Sequence, residues 1–513
     1  MEQKSKNTFP AAAVAALFPN DLLEKLAAAQ QEFGGEVYLV GGAVRDLLMG
    51  RRPGDLDLTV ACNAEQWAGR LRDLTGGTYV ELGREEDAAR VVLRQGLDVD
   101  FSSFRAGAGS IKEDLYKRDI TINALAVPVH DLFSDPCRLH QDKLPIIDST
   151  GGCADLEQQR IQFVAPTSCI DDPLRMLRVF RFAAALDFTI ESDTLQHVRR
   201  HREKIDLVSN ERTAYELDLI MASPRAHQAF TDLGACGLLW EILPELRAGQ
   251  GMEQPASHHL DVFEHCLEAL HQMEQVLANL DRYFPDTHAV MEEYVQSKRR
   301  QTQMKWAALL HDIGKPLTFG INANKGGRIT FYNHDLRGSD ILLDIARRLR
   351  WAKEDSKVVA RMIAGHMRPF FLANNQRQGK LTLKACLRLV KKIETHLPGL
   401  FLLAMSDALA GKGEASPEDI EQEVAGLFAR LNRVEQEHVT PVRTAPPLIT
   451  GKDLIKELNL TPGPLFRIIL DRVEEAYMEH RISTRAEGLS LAASEAKKQT
   501  TPLEGRKDDG RVS

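Results

Sequence analysis

The sequence predicts a multidomain chain: an N-terminal α/β head with a small mixed sheet, then an all-α remainder made of a neck, a histidine-bearing domain and a tail. Three observations predict it. A length of 513 residues calls for more than one core. Between about 36 and 165, short β-rich runs alternate with short helical ones, as in an α/β sheet. Beyond about 168 the strand signal nearly vanishes and helical periodicity dominates.

In chain order, the strand candidates are 37–40, 56–62, 78–82, 90–94 and 97–104, with a helix at 64–74 between them. Leu174, Leu177, Val179, Phe180, Phe182 and Ala183 then give one helical apolar stripe flanked by arginines. A Gly/Pro-containing break at 248–255 separates this neck from a helical block at 256–412 that holds most of the histidines. Within that block, 294–303 reads as a solvated helix or loop. Pro417-Glu418-Asp419 starts a charged helix, 440–447 reads as a linker, and 448–479 as a compact helical unit. Residues after about 490 are polar and expected to be disordered. The expected domains are 1–167, 168–250, 251–415 and 416–513.

Composition limits the function classes. Hydrophobic residues at 43% and charged residues at 27% are ordinary for a soluble globular protein. A formal charge of −8 does not advertise a nucleic-acid binder, although RNA binding needs only a local basic face. Seven cysteines without a C-x-x-C pair fit a reduced, cytoplasmic protein. No apolar run reaches the roughly 20 residues of a membrane span. The 11–18 run faintly imitates a signal peptide, but Pro19-Asn20-Asp21 interrupts it and an amphipathic helix follows.

The first chemical signal is Val37–Val40 running into Gly41-Gly42, followed by Asp55-Leu56-Asp57. Side chains alternate along a strand, so Asp55 and Asp57 share a face. Carboxylates held that close repel unless a divalent cation sits between them. A glycine pair ahead of a helix offers backbone N–H groups to a phosphate. Asp98 or Asp100, on another strand, would complete a two-ion clamp. Further on, Arg118 could grip a triphosphate and Asp119 a ribose hydroxyl; the plainer alternative is a helix capped by Asp119 or Thr121.

Gly41-Gly42-x-x-Arg45-Asp46, Asp55-x-Asp57, Arg118-Asp119-x-x-x-Asn123-Ala124, Asp172-Pro173-Leu174-Arg175-Met176-Leu177-Arg178 and Glu211-Arg212-x-x-x-Glu216-Leu217 follow one another in order. In this they resemble the class II tRNA nucleotidyltransferase and bacterial poly(A) polymerase family over about 36–250. The resemblance implies a nucleotidyltransferase head acting on CTP, ATP and the 3′ end of tRNA. It implies Mg²⁺ on Asp55 and Asp57 with Asp100 as the third acid. It also implies nucleotide binding at Gly41, Gly42, Arg45, Arg118, Asp119, Asn123, Asp172, Arg175, Arg178 and Arg181.

Base choice has its own physics. Cytosine and adenine both present an exocyclic amine beside a ring-nitrogen acceptor, whereas guanine and uracil put an oxygen where the amine would be. A carboxylate paired with an arginine therefore accepts C and A and rejects G and U. Asp172 and Arg175, at i and i+3 of an expected helix, fit that role, and a surface ion pair is the bland alternative. Asp171 and Lys117 stand where the family usually has Glu and Arg. Members that add all of CCA usually carry a longer flexible loop where this chain has only 106–117. That departure points to enzymes that add only C or CC, with a separate A-adding enzyme as partner.

The second signal is His311-Asp312 with His265, His334, His366 and Asp407 on surrounding helical segments. Imidazoles and carboxylates from several helices suit a divalent transition metal. Their order resembles the HD phosphohydrolase superfamily over about 256–412. The resemblance puts one ion on His265, His311, Asp312 and Asp407, and a second ion or a phosphate on His334 and His366. It implies hydrolysis of phosphates or 2′,3′-cyclic phosphates. His258, His259, His271 and His288 are expected at the surface or as caps. For RNA, Arg199, Arg200 and Arg202 form a basic cluster, and Lys452 begins a tail helix. The leading expectation is tRNA 3′-end nucleotidyl transfer with an appended hydrolase. Poly(A) polymerase, or a metal phosphohydrolase with an RNA- or nucleotide-binding head, are the alternatives.

Overall fold

The computed structural model describes residues 8–82, 87–94, 96–105, 107–134, 143–256, 258–323, 327–413 and 417–500. The chain forms two compact units that divide after Pro244. In the first, the strands are β1 (Thr8–Pro10), β2 (Val37–Val40), β3 (Asp55–Val60), β4 (Thr78–Glu81), β5 (Ala88–Val92), β6 (Asp98–Ser103), β7 (Leu125–Pro128), β8 (Lys143–Pro145) and β9 (Ile147–Asp148). A seven-stranded sheet has the order β4-β5-β6-β3-β2-β7-β9. Only the β3–β6 pair is parallel among its ladders, which makes the sheet mixed, as expected.

The alternation along β3 organises the head. Leu56, Leu58 and Val60 enter the main core with Leu22, Leu26, Trp67 and Leu71 from helices Asn20–Phe33 and Ala64–Thr75. Asp55 and Asp57 are left on the opposite face. The parallel register sets Asp55 beside Asp98 and Asp57 beside Asp100, and the antiparallel register of β5 sets Arg90 opposite Asp100.

Several expectations change. A helix was expected after Asp119, but Thr121–Asn123 makes a single 3₁₀ turn and Leu125–Pro128 is strand β7, paired with β2. Ala124, Leu125, Ala126 and Val127 are fully buried there, so tertiary packing overrides an alanine-rich local preference. Beyond 168, as expected, strands nearly vanish among the described residues. β11 (Thr189–Ile190) pairs in parallel with β10 (Arg160–Ile161), and β12 (Phe319–Asn322) and β13 (Arg328–Phe331) form an antiparallel hairpin in the second unit. Helix Lys298–Leu310 buries Gln303, so 294–303 is only partly solvated. Thr440–Thr444, in the expected linker, is helical. Disorder from 490 is also corrected: helix Arg485–Thr500 buries Ala492 and Ala496 against Ile469 and Val473 of helix Pro464–Met478. Residues beyond 500 lie outside the described residues.

The second unit is built around helix Leu397–Ala410, which is apolar on all sides and buried at every position but Pro398. Helices Val262–Ala278, Lys298–Leu310, His334–Arg348 and Lys353–Gly365 complete the bundle. Gly314 holds one contact open. A Cβ there would stand 2.2 Å from the carbonyl oxygen of His334 and 2.5 Å from the nitrogen of Gly338. Gly314→Ala should therefore cost about 3 kcal/mol by overpacking. Urea denaturation checks it, and an unchanged midpoint and slope would contradict the close approach.

Candidate active sites

Asp55, Asp57 and Asp100 offer oxygens that all lie within 4.8 Å of one another. Burial, then the neighbouring Asp55 and Asp100 charges, push the Asp57 carboxyl up to about 6. Asp55 is raised by burial and by Asp100, with Arg90 opposing. Arg90 supplies part of the missing positive charge: its Nε and Nη2 donate to the two oxygens of Asp100 at 2.7 Å each, and Nη1 donates to Asp98 at 3.2 Å. Arg118 also opposes the charge on Asp57, and the three carboxylates form an oxygen-only donor set that fits a hard divalent cation. Asp98 is absent from the three-carboxylate group, so of the two candidate third acids the structure brings Asp100 to the pair.

Of the two glycine donors expected at the turn, one is taken up by the sheet. Gly41 has φ +67°, and its own N–H donates to the Leu125 carbonyl within the sheet at 3.1 Å, so that donor is spent. What the turn supplies is room: a Cβ on Gly41 would stand 3.4 Å from both Arg118 Nη1 and Asp57 Oδ2. Arg45 Nη1 donates to Asn123 Oδ1 at 2.7 Å, which brings those two expected residues together. Arg118 and Asp119 are both buried. Asp119 neither caps a helix nor stands alone, since Arg178 Nε donates to it at 2.8 Å. Burial would raise the Asp119 carboxyl, but Arg178, the Ile120 backbone N–H and Arg175 together hold the group well below the usual carboxylate range.

Asp172 and Arg175 do not share a helix. Asp172 is extended (φ −142°, ψ 103°) after the short helix Ser168–Asp171, and Arg175 opens helix Arg175–Leu186. Pro173 explains the break, because the residue before a proline is driven out of the α region. Asp172 accepts from the Leu174 N–H at 3.1 Å and from Arg212 Nη2 at 3.2 Å, while Arg175 Nη2 donates to the Lys117 carbonyl at 2.7 Å. Arg181 Nε ion-pairs with buried Glu216 at 3.0 Å, and Arg178 Nη1 lies 3.6 Å from the same carboxylate. Phe182, placed in the core stripe by periodicity, is only half-buried. The guanidinium carbons of Arg181, Arg45 and Arg178 lie 4.2, 5.4 and 5.5 Å from its ring centre.

In the second unit, His265, His311 and Asp407 form one group, and Asp312, His334 and His366 another. His265 Nε2 lies 3.1 Å from Asp407 and 3.2 Å from His311 Nε2, and His334 Nε2 lies 3.1 Å from His366 Nε2. The outer Nδ1 atoms of His311, His334 and His366 face the carbonyls of Ala308, Phe331 and Ile363 at 2.8, 2.7 and 2.7 Å. An Nδ1–H donated outward leaves a neutral ring's Nε2 as a bare lone pair pointing inward. Lone pairs 3.1 Å apart need a cation between them, and Asp312 Oδ1 is a buried oxygen without a hydrogen-bond donor. This mixed nitrogen and oxygen set fits a transition ion. Asp312 also ion-pairs with Lys315, whose Nζ donates to Gln254 at 2.6 Å.

His258, expected at the surface or as a cap, is instead half-buried with its ring 4.7 Å from that of His265, and it forms a further group with His265 and Asp312. Burial, then Lys315 and His265, push it down to about 3, which leaves it neutral. His259 and His288 are exposed, as expected. A cavity of about 640 Å³ opens on Asp312, His334 and His366, with Lys315, Arg328 and Arg368 in its wall.

Among the RNA candidates, Arg199 and Arg200 are exposed in the last turn of helix Ser192–His201. Arg202 is set apart by its ion pair with Glu241 at 3.0 Å. Lys452 is exposed on helix Gly451–Leu458, whose start is closed by a Thr450/Asp453 capping box. Sequence reasoning missed Arg90, Phe182 and His258. Arg90 was legible only through strand register, and His258 only through its spacing of seven from His265, two turns of a helix that in fact starts at Val262.

Comparison with known proteins finds matching domains in both units. Residues 37–162 match the Poly A polymerase head domain, 187–249 the probable RNA and SrmB-binding site of polymerase A, and 262–396 the HD domain. An A-adding tRNA nucleotidyltransferase of Deinococcus radiodurans is 33% identical, covering 88% of this chain and 93% of its own. A CC-adding tRNA nucleotidyltransferase of Thermus thermophilus is 30% identical, covering 88% and 92%. In fold, the chain resembles a CCA-adding enzyme solved with CTP (TM-score 0.62, 19% identity, 96% of this chain and 99% of that one). It also resembles a Thermotoga maritima CCA-adding enzyme complexed with tRNA (TM-score 0.59, 19%, 96% and 99%). The chain belongs to the tRNA nucleotidyltransferase and poly(A) polymerase family, as an enzyme of the tRNA nucleotidyltransferase branch with an HD domain.

Proposed function

We propose that this enzyme adds C or CC from CTP to the 3′ end of tRNA and leaves the terminal A to a separate enzyme. The three-carboxylate group beside the Gly41 turn carries the transfer reading. The short segment before Arg118, pinned at both ends by buried Asp114, supports the restriction to C. Asp55, Asp57 and Asp100 would hold Mg²⁺, which when bound supplies positive charge to the attacking and leaving oxygens. Arg118 would meet the triphosphate at the Gly41 turn, and Arg45 with Asn123 would border the same turn. Asp172 and Arg175 would read the base edge with the hydrogen-bonding capacity their present partners leave over. Arg178 and Arg181, tied to Asp119 and Glu216, would back that pair. Functionally we divide the chain into a head (1–167), a base-selecting neck (168–250), an HD domain (251–415) and a tRNA-binding tail (416–513). Arg199, Arg200 and Lys452 would contact RNA phosphates, and Arg202 would position that surface from its Glu241 pair.

The HD domain supports a second activity. Its histidine and aspartate groups would hold a divalent transition ion for hydrolysis of terminal or cyclic phosphates, with Lys315 and Arg328 in the cavity wall to receive the phosphate. Among the described residues no helix is long and apolar enough to cross a membrane, and a cytoplasmic site of action fits a tRNA-modifying role.

Three measurements test these readings. With tRNA lacking CCA and with CTP, ATP or both, sequenced product ends should gain one or two C and no A; efficient terminal A would overturn the restriction. Asp172→Ala should relax discrimination against UTP by about tenfold or more, and undiminished discrimination would remove the template role. His311→Ala should abolish metal-dependent phosphatase activity while CMP incorporation persists; retained phosphatase activity would count against the HD site.

A further inference from the structure

Asp114 lies outside every motif named above, yet its side chain has no exposed surface. Two arginines share its oxygens, and Arg105 Nη1 reaches Oδ2 as well, at 3.2 Å. Oδ1 accepts from the Arg105 backbone N–H at 2.9 Å and from Arg105 Nη1 at 3.1 Å. Oδ2 accepts from Arg118 Nε at 3.0 Å and Nη2 at 2.9 Å, the side-on fork of a guanidinium. Thr59 Oγ1, also buried, takes a further hydrogen bond from Nη2 at 3.2 Å. With the Nε–Nη2 edge of Arg118 committed, the remaining nitrogen is fixed in direction, because the guanidinium is planar and rigid. That nitrogen, Nη1, is the atom beside the Gly41 turn.

We propose that Asp114 is a positioning residue for nucleoside triphosphate binding: by holding one edge of Arg118 it presents Nη1 at the Gly41 turn, and by holding Arg105 it ties together the two ends of the 106–117 segment. The proposal rests on the reading that Arg118 meets the triphosphate. Two guanidinium groups converge on this carboxylate, and without it buried Arg118 would keep only the Thr59 hydroxyl among these hydrogen-bond partners while facing the like charge of Arg105. Burial, then Arg105, lower the Arg118 pKa to about 10, and Asp114 opposes both.

Equilibrium binding of CTP and CMP to the full chain, by calorimetry, tests the proposal because only the triphosphate reaches beyond the α-phosphate. Asp114→Asn should raise the CTP Kd about tenfold, the worth of one well-aligned charge-assisted hydrogen bond, while the CMP Kd stays within about twofold. Arg118→Gln should show the same triphosphate-specific loss, and the double variant should be no worse than Arg118→Gln alone. If Arg118→Gln weakens CTP and CMP equally, the reading of Arg118 falls and the proposal with it. If Arg118→Gln is triphosphate-specific and Asp114→Asn is not, the proposal alone is overturned. Should Asp114→Asn fail to fold, Thr59→Val, which strips one Nη2 acceptor and the hydrogen bond to the Ser102 hydroxyl while keeping every charge, is read by the same ratio. A CTP-specific loss of about threefold or more supports the proposal, and an unchanged ratio overturns it.

Discussion

Repulsion between like groups is the constraint on which both sites depend. In the head, three carboxylates converge within 4.8 Å, and Arg90 and Arg118 together answer only part of their charge, since the Asp57 carboxyl stays pushed up to about 6. In the HD domain, ring nitrogens approach to 3.1 Å with their N–H groups turned outward. Neither cluster is a comfortable resting arrangement for a protein without cations, because packed carboxylates and facing lone pairs raise the free energy of the fold. Each is held by structure that is stable for other reasons: two strands in parallel register in one case, a bundle around one buried helix in the other.

The head holds its cluster through register. Because β3 and β6 run parallel with Asp57 beside Asp100, the same alternation that sends Leu58 and Phe101 into the core sends the acids to the opposite face. A slip of one residue would exchange the two sets, so core packing enforces the site. The HD cluster is held by distance in sequence instead. His265, His311 and Asp407 belong to different segments, and Gly314 lets the loop after Asp312 lie against the start of the helix that carries His334.

Much of this was legible in the sequence. The D-x-D strand and the histidine order could be read because period-two alternation and residue chemistry are local properties. Asp172 shows where local reading stops: helical spacing suggested one face with Arg175, but Pro173 breaks the backbone between them. Leu125–Pro128 reads as helix and folds as strand because its partners, β2 and β9, are remote in sequence. Arg90, Asp114 and Phe182 carry no motif, and their importance follows from what lies opposite them. Phe182 even satisfies the core periodicity while its ring faces arginines. At the glycine turn, the Gly41 N–H is taken up by the sheet through a partner remote in sequence, and the missing side chain leaves room beside Arg118 and Asp57.

If like-group repulsion is the organising feature, the protein must bind divalent cations at two chemically distinct centres. The most direct measurement is titration of the ion-free full chain with Mn²⁺, followed by electron paramagnetic resonance. The account predicts two separable classes of bound ion, one lost in Asp57→Asn and the other in Asp312→Asn. Binding that survives both substitutions unchanged, or a single class removed equally by either, would contradict it.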